Sequence, residues 1–324
     1  MFRVYIAAIS SYVPRNRVHN SDLPKELETS DEWIVSHTGI SYRHLAADDE
    51  SPSSMGIAAA KDAIKKSGIS PEDFGMILLS TTTPDYAPIP PTACVVQESI
   101  GAKNAVAFDI TAACTGFVYG IELARCYMQA HNKPILVVST EMMSRAIDWD
   151  DRKTCVLFGD AAAAAVLLPS PDGNRGIVDS ILLSDSSGKG VLAIEGGCRT
   201  STSRIENPTL KVHMEGQAVF TFAIRTIPNI IQKLLDDNGL TVEDIDWIVP
   251  HQANYRIIRS AANRFGVPES KFFINVQNYA NTASASIPLA LHDMEQQGLL
   301  KPGNKIVTVG FGAGLSYGGN LIIW

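Results

Sequence analysis

The sequence predicts an α/β fold in which one βαβ-rich unit is used twice. The first observation is a repeated junction. "AIKKSGISPEDFGMILLS" at 63–80 and "LLDDNGLTVEDIDWIVPH" at 234–251 each end a helix, pass a glycine (Gly68, Gly239), read Ser/Thr-x-Glu-Asp and enter an apolar run, at constant spacing along the match. A glycine after a helix and an acidic start to the next element are ordinary at helix-to-strand connections. The second observation therefore weighs more: three further echoes keep the same order, as an internal repeat requires. RVYIAAISSYVP (3–14) resembles GIVDSILLSDSS (176–187), AFDITAACTGF (107–117) is matched in type by VQNYANTASAS (276–286), and VLFGDAAAAAVLL (156–168) resembles VGFGAGLSYGGNLII (309–323). Third, apolar runs alternate with helical patterns within each half, which implies crossover connections and largely buried sheets.

In chain order, RVYIAAISSYVP reads as the opening strand, SSMGIAAAKDAIKKSG as a helix closed by Gly68, and MILLSTTT as a buried strand. AFDI forms a strand that turns at TAAC into a helix; PILVVST is the next strand. That helix places Glu122, Arg125 and Gln129 on one narrow stripe, with Phe117, Val118, Ile121, Leu123 and Met128 elsewhere, so it is expected to be buried on most sides. PSPDGNR at 169–175 has turn composition but is short. Halves 1–173 and 174–324 are thus expected to share an interface rather than hang on a linker. In the second half, IDWIVP is a strand with His251 at its end, a helix follows HQAN, and GFGAGLSYGG is a glycine-rich loop whose backbone can approach a ligand closely.

Composition bounds the function. The chain of 324 residues is 45% hydrophobic and 19% charged, that of a folded protein large enough for two core-forming halves. A net charge of −7 with no dense basic run argues against a nucleic-acid partner. The longest apolar run, AAAAAVLLP, falls far short of the ~20 residues that span a bilayer. MFRVYIAAISSYVP lacks the apolar region and cleavage site of a signal peptide, so a cytoplasmic location and no membrane insertion are expected. Five cysteines (94, 114, 126, 155, 198) without a CxxC pair argue against a disulfide framework or a zinc site, and no metal is expected.

Cys114 is the candidate nucleophile. It sits at the first turn of a helix, near unpaired N–H groups and the positive end of the dipole, which favour a thiolate. Ala112, Ala113, Thr115 and Gly116 leave room for an acyl group. Cys94, Cys126 and Cys155 read as small core residues. His251 lies at a strand's C-terminal end, where open α/β sheets assemble their sites. Asn281, in YANTASASIP, occupies the turn that matches the Cys114 turn. A pseudo-two-fold arrangement brings these ends together into a site suited to handling a thioester.

TSDEWIVSHTGI (29–40), DITAACTGF (109–117), VPHQAN (249–254), YANTAS (279–284) and GFGAG (310–314) resemble the motifs of β-ketoacyl-acyl-carrier-protein synthase III, in order and essentially from end to end. The resemblance implies a thiolase-like fold, its duplicated halves in a five-layered αβαβα arrangement, and a homodimer. It implies a condensing enzyme, an acyltransferase, that begins fatty-acid synthesis: an acyl-CoA primer moves to Cys114 and is condensed with malonyl-acyl carrier protein by decarboxylation, giving β-ketoacyl-carrier protein, CoA and CO2. No cofactor is implied. The family's roles, carried residue by residue, give an oxyanion hole from the backbone N–H groups of Cys114 and Ala313, with His251 and Asn281 on the malonyl thioester carbonyl.

Trp33 and Arg152 match the pair that sandwiches the CoA adenine, with Thr29 and His37 beside them; His37 stands where an arginine is usual. Gly216, Phe220, Ala253 and Asn254 match positions lining the pantetheine tunnel. Arg256 and Arg259, with Arg264 beyond, match a basic patch for the acidic carrier protein, and Thr221 replaces a usual lysine there. The loop TTTPDYAPIPPTAC (81–94) places Ile89 where the family ends its primer pocket with a phenylalanine, and three prolines imply a stiff loop. Three rivals are weighed against this: a papain-like protease, whose cysteine signature is absent; a synthase III relative of specialised metabolism with a different acceptor; and a catalytically silent subunit, against which an intact Cys114 counts.

Overall fold

The computed structural model describes residues 2–86, 89–195 and 211–324. Cys198 and Pro88 of the primer loop lie outside the described residues. β1 (Val4–Tyr12) is followed by a short ribbon of β2 (Asn16–His19) and β3 (Tyr42–Leu45) enclosing α1 (Asp31–Thr38). Ser30 caps α1 by accepting the Trp33 N–H. Next comes α2 (Pro52–Ser67), with Pro52 at its first position, a Ser51–Ser54 capping box and left-handed Gly68 at its end. β4 (Met76–Ser80), α3 (Thr92–Ile100), β5 (Val106–Ile110), α4 (Gly116–His131), β6 (Ile135–Met142) and β7 (Asp160–Pro169) complete a five-stranded sheet of order β1-β7-β6-β4-β5.

The second sheet repeats that order. β8 (Gly176–Ser184) precedes a separate ribbon of β9 (Leu192–Glu195) and β10 (Lys211–Met214), then α5 (Gly216–Asp237), β11 (Trp247–Pro250), α6 (Tyr255–Phe265), the one-turn α7 (Val276–Tyr279), α8 (Ser286–Gln296), β12 (Lys305–Gly312) and β13 (Ser316–Ile323). Its order β8-β13-β12-β11 matches β1-β7-β6-β4 strand for strand. A parallel bridge from Ile248 to Phe272 stands where β5 would lie. Both Ser/Thr-x-Glu-Asp junctions fold as short 3₁₀ turns, Pro71–Asp73 and Val242–Asp244, before β4 and β11. The 173/174 boundary falls in the connection between β7 and β8.

Helices α4 and α8 lie between the two sheets. Phe117, Val118, Ile121 and Met128 of α4 pack with Ile287, Leu291 and Met294 of α8 in one core with residues from both sheets, all fully or nearly fully buried. α2 and α3 cover the outer face of the first sheet and α5 and α6 that of the second. Five layers result.

Two expectations for α4 and its neighbours are corrected. Leu123 is 44% exposed, and Cys126 is exposed while Cys94 is half-buried. The polar stripe turns partly inward instead: Glu122 and Arg125 form a 2.7 Å pair with both side chains largely covered, and Gln129 donates to Phe2 O. Mutual neutralisation lets that pair occupy the seam, and the opposite apolar edge faces out. The segment before Asn281 is likewise not a strand, as the echo of AFDI implied, but the short helix α7.

Between the sheets, Asn320 of β13 is fully buried. It accepts from Thr308 Oγ1 (2.9 Å) and donates to Val118 O (3.2 Å) and Ser180 Oγ (3.0 Å), tying β12, α4 and β8 together. Asn320→Leu leaves these buried groups without partners, so a loss of about 1–3 kcal/mol in unfolding free energy is expected from denaturant titration.

Candidate active site

Strand β5 ends in a 3₁₀ turn, Ala113–Thr115, that leads into α4, and a matching turn, Ala283–Ala285, leads into α8. Ala113 (φ 46°) and Ala283 (φ 45°) are both left-handed, a conformation that costs a non-glycine residue roughly 1–2 kcal/mol. The equivalence makes Ser284, not Asn281, the counterpart of Cys114; Asn281 comes three residues before it. Nothing in the sequence marked those alanines.

The two turns touch. A Cβ on Gly116 would meet Ser80 Oγ at 1.7 Å and Ser284 Cβ at 3.0 Å, so only glycine lets α4 start here. The 310–314 loop closes from the other side: a Cβ on Gly312 would lie 2.8 Å from the Cys114 nitrogen. That loop is clamped rather than free, because Leu315 and Asp185 exchange backbone hydrogen bonds of 2.7 and 2.8 Å.

Cys114, His251 and Asn281 all line one cavity of about 340 Å3, with Ala113, Phe311 and Ala313. His251 is buried and held by its backbone N–H on Val309 O (2.8 Å) and by Phe311, whose ring meets its own edge-on. Its Nδ1 lies 2.6 Å from Ser286 Oγ, which also takes the Gln252 N–H at 3.3 Å. With the Ser286 hydrogen on Nδ1, the ring proton sits on Nε2, the tautomer taken here. Burial pushes the imidazole down to about 3, so it is neutral. Asn281 Oδ1 accepts from Ala283 N (2.9 Å), which leaves its Nδ2 as a donor. The site thus offers two neutral N–H donors beside a sulfur.

The cysteine itself departs from expectation. Cys114 is buried, and burial above all pushes its thiol up to about 12 despite its place ahead of α4; a charged Glu141 would add to that rise. Desolvation outweighs the helix start, and the unliganded site holds a thiol.

Of the expected CoA contacts, Trp33, His37, Arg152, Gly216, Phe220, Ala253 and Asn254 line the same cavity, and so does Arg256. Arg152 lies 5.7 Å over the Trp33 ring, while His37 stacks on Trp33 at 4.4 Å and 23° with Nδ1 on Trp33 O. Thr29 and Arg259 are not on its wall. Arg259 is exposed on α6, and Thr221 is exposed on α5. Ile89 is 78% exposed and does not line this chain's cavity. Residues that sequence reading missed include Thr82 and Met143 on the wall, and the buried Glu141 and Ser286 behind it. Glu141 sits in a strand run, VVSTEMM, that carries no motif.

Comparison with known proteins accounts for this arrangement. Residues 108–186 match the family "3-Oxoacyl-[acyl-carrier-protein (ACP)] synthase III" and residues 235–324 its C-terminal counterpart. A β-ketoacyl-[acyl-carrier-protein] synthase III of Clostridium acetobutylicum is 46% identical, the match covering 100% of this chain and 99% of that protein. The chain belongs to the β-ketoacyl-acyl-carrier-protein synthase III family.

The crystal structure of a 3-oxoacyl-[acyl-carrier-protein] synthase III from Aquifex aeolicus superposes with a TM-score of 0.92 at 36% identity, covering 99% of this chain and 100% of that one. The priming β-ketosynthase of the R1128 polyketide pathway gives 0.91 at 34%, covering 99% and 96%. The fold is thiolase-like, as in synthase III structures, and this synthase III is a condensing enzyme of the acyltransferase class that initiates fatty-acid synthesis.

The neutral His251 has a measurable consequence for this synthase III. Its ring binds no proton in the fold until about pH 3, whereas in the unfolded chain it does so near 6.5. Stability from the neutral ring is complete above about pH 6.5 and is lost progressively as pH falls toward 3. His251→Gln cannot titrate, so its unfolding free energy is expected to fall less steeply across that window. His292, lowered to about 4, retains its own share of the slope.

Proposed function

We propose that Cys114 takes an acyl group from acyl-CoA and that the acyl-enzyme condenses with malonyl-acyl carrier protein. The observation that carries this reading is the convergence of the Cys114 sulfur with the His251 Nε2–H and Asn281 Nδ2–H in one cavity. Attack on the primer carbonyl forms the Cys114 thioester; the thiol gives up its proton and the departing CoA sulfur takes one up. Backbone N–H groups of Cys114 and Ala313 serve the oxyanion of that step. Malonyl-carrier protein then places its thioester carbonyl on His251 and Asn281. Loss of CO2 moves negative charge onto that oxygen, so both hydrogen bonds strengthen in the transition state. The resulting carbanion attacks the acyl-Cys114 carbonyl and frees the sulfur.

The cavity's charge supports such substrates. Among the described residues its charged lining residues are Arg152, Lys153 and Arg256, all basic, as the phosphates of CoA and of a pantetheine arm require. Arg256 and Arg259 on α6 continue that field outward for an acidic carrier protein. No redox cofactor or metal enters these steps. Among the described residues no helix is long and apolar enough to cross a membrane, and a cytoplasmic site of action is part of the reading.

A homodimer is also proposed. β5 is an edge strand of the first sheet and exposes Val106 and Phe108, and Ile89 is exposed as well. A second copy would cover that edge and bring its own Ile89 to the end of this chain's primer pocket. Sedimentation at equilibrium tests it directly.

The half-reactions separate the roles. Intact-mass measurement with acyl-CoA is expected to show no loading of Cys114→Ser, because its hydroxyl has no base to deprotonate it. His251→Ala and Asn281→Ala are expected to load normally yet lose malonyl decarboxylation by about 10²- to 10³-fold. Loading without condensation in the wild type would favour a different acceptor, as for a specialised-metabolism relative, and no loading at all a silent subunit.

Primer choice follows from Ile89. A branched side chain in place of a phenylalanine leaves room for one or two methylenes, each worth about 0.8 kcal/mol when buried. Kinetics with acetyl-, isobutyryl- and hexanoyl-CoA are expected to show use of the longer or branched primers. Ile89→Phe is expected to shift kcat/KM back toward acetyl-CoA.

A further inference from the structure

Behind the cavity wall lies an acid that the reaction above does not use. Glu141, one residue from the end of β6, is fully buried, and among the described residues no lysine, arginine or histidine forms an ion pair with it. Its partners come from both halves of the molecule. Oε2 accepts the Thr82 N–H (2.9 Å) and meets Thr82 Oγ1 (2.7 Å) and Thr83 Oγ1 (3.3 Å); Oε1 meets Ser284 Oγ at 2.6 Å. Thr82 and Ala283, the residue before Ser284, are on the cavity wall with Cys114. Ser284 also packs on Gly116, two residues past Cys114.

We propose that Glu141 is a positioning residue for both half-reactions, a neutral carboxylic acid that locks the Thr82–Thr83 turn and the Ala283–Ala285 turn into one wall beneath Cys114. The proposal rests on Cys114 being the nucleophile. Burial favours the neutral form over the donors from Thr82, Thr83 and Ser284, each of which favours the carboxylate. With the proton on Oε1, Glu141 donates to Ser284 Oγ, and the Ser284 hydrogen passes to Ser80 O at 3.4 Å. Thr83 Oγ1 in turn takes the Met142 N–H at 2.8 Å. The network then closes without a buried cation.

Electrostatics points the same way. Around Glu141 stand hydroxyls and methyls: Ser80, Thr82 and Thr83 from β4 and its turn, Ala161 as its register partner on β7, and Ser284. Among the described residues the titratable group it faces is Cys114. Burial raises the Glu141 carboxyl, and a charged Glu141 would in turn hold the proton on Cys114. Two acids this close do not both ionise readily, so an uncharged Glu141 removes one obstacle when the thiol must lose its proton.

The experiment compares wild type, Glu141→Gln and Glu141→Leu. Rates of Cys114 alkylation by iodoacetamide are measured against pH, and rates of acyl loading and malonyl decarboxylation by mass spectrometry. Gln has the shape of the neutral acid and cannot ionise. The expected result is an alkylation midpoint within about half a pH unit of wild type in Glu141→Gln. In Glu141→Leu both half-reactions are expected to slow by about 10²-fold, as misplaced reacting groups do, with Gln restoring most of that loss. A Gln midpoint displaced by more than about one unit would show a charged Glu141 and overturn the proposal. Wild-type rates in Glu141→Leu would do so too. The wild-type control keeps the readings apart: acyl loading elsewhere than Cys114 refutes the nucleophile assignment, whereas the thiol titration answers for Glu141 in either case.

Discussion

The site depends on the contact between two left-handed turns at the centre of the molecule. Ala113–Thr115 and Ala283–Ala285 meet so closely that Gly116 has no space for a side chain against Ser80 and Ser284. Each turn redirects the chain into a helix of the shared central layer, α4 or α8, and the packing of those helices fixes where the turns lie. The strain of two left-handed alanines is held by that surrounding core. Small residues are therefore required here by geometry, and the Cys114 sulfur is placed by elements that cannot shift without disturbing both sheets.

Burial then decides the protonation states. The same packing that fixes Cys114 and His251 removes water from them, so the sulfur keeps its proton and the imidazole stays neutral. Among the described residues the cavity's basic charge comes from Arg152, Lys153 and Arg256. Beside them the cavity carries neutral hydrogen-bond donors, groups of a kind that can stabilise charge as it forms without binding an anion beforehand.

Much of this was legible in the sequence because it is written in local patterns. Gly68 and Gly239 end helices in the left-handed region, and the Ser/Thr-x-Glu-Asp junctions precede matched strands, so the duplication could be read from turn chemistry alone. That Cys114, His251 and Asn281 share one cavity was expected from the pseudo-two-fold pattern, although Asn281 follows a short helix rather than a strand. What failed depended on long-range context. The orientation of α4 was misjudged because Glu122 and Arg125 neutralise each other, which no periodicity reveals. Cys114 was expected to favour a thiolate from its helix start, but the depth of its burial comes from residues of both halves. Glu141 was not singled out, because its partners Thr82 and Ser284 are distant in sequence.

Duplication also explains how one turn supports two tasks. With Ala113 and Ala283 equivalent, Ser284 stands in the second half where Cys114 stands in the first. Strand registers extend the equivalence: β4 pairs β6 as β11 pairs β12, which sets Glu141 opposite Gly312 in the two halves. Gly312 approaches the Cys114 backbone, while Glu141 reaches the Ser284 hydroxyl. In one half the strand end is bare, so its backbone packs directly against Cys114. In the other it carries a long acid that fills the space and ties the serine down, and the second turn contributes Asn281 from three residues upstream instead. The asymmetry between nucleophile and scaffold thus arises from which side chain each strand end carries against an otherwise common turn.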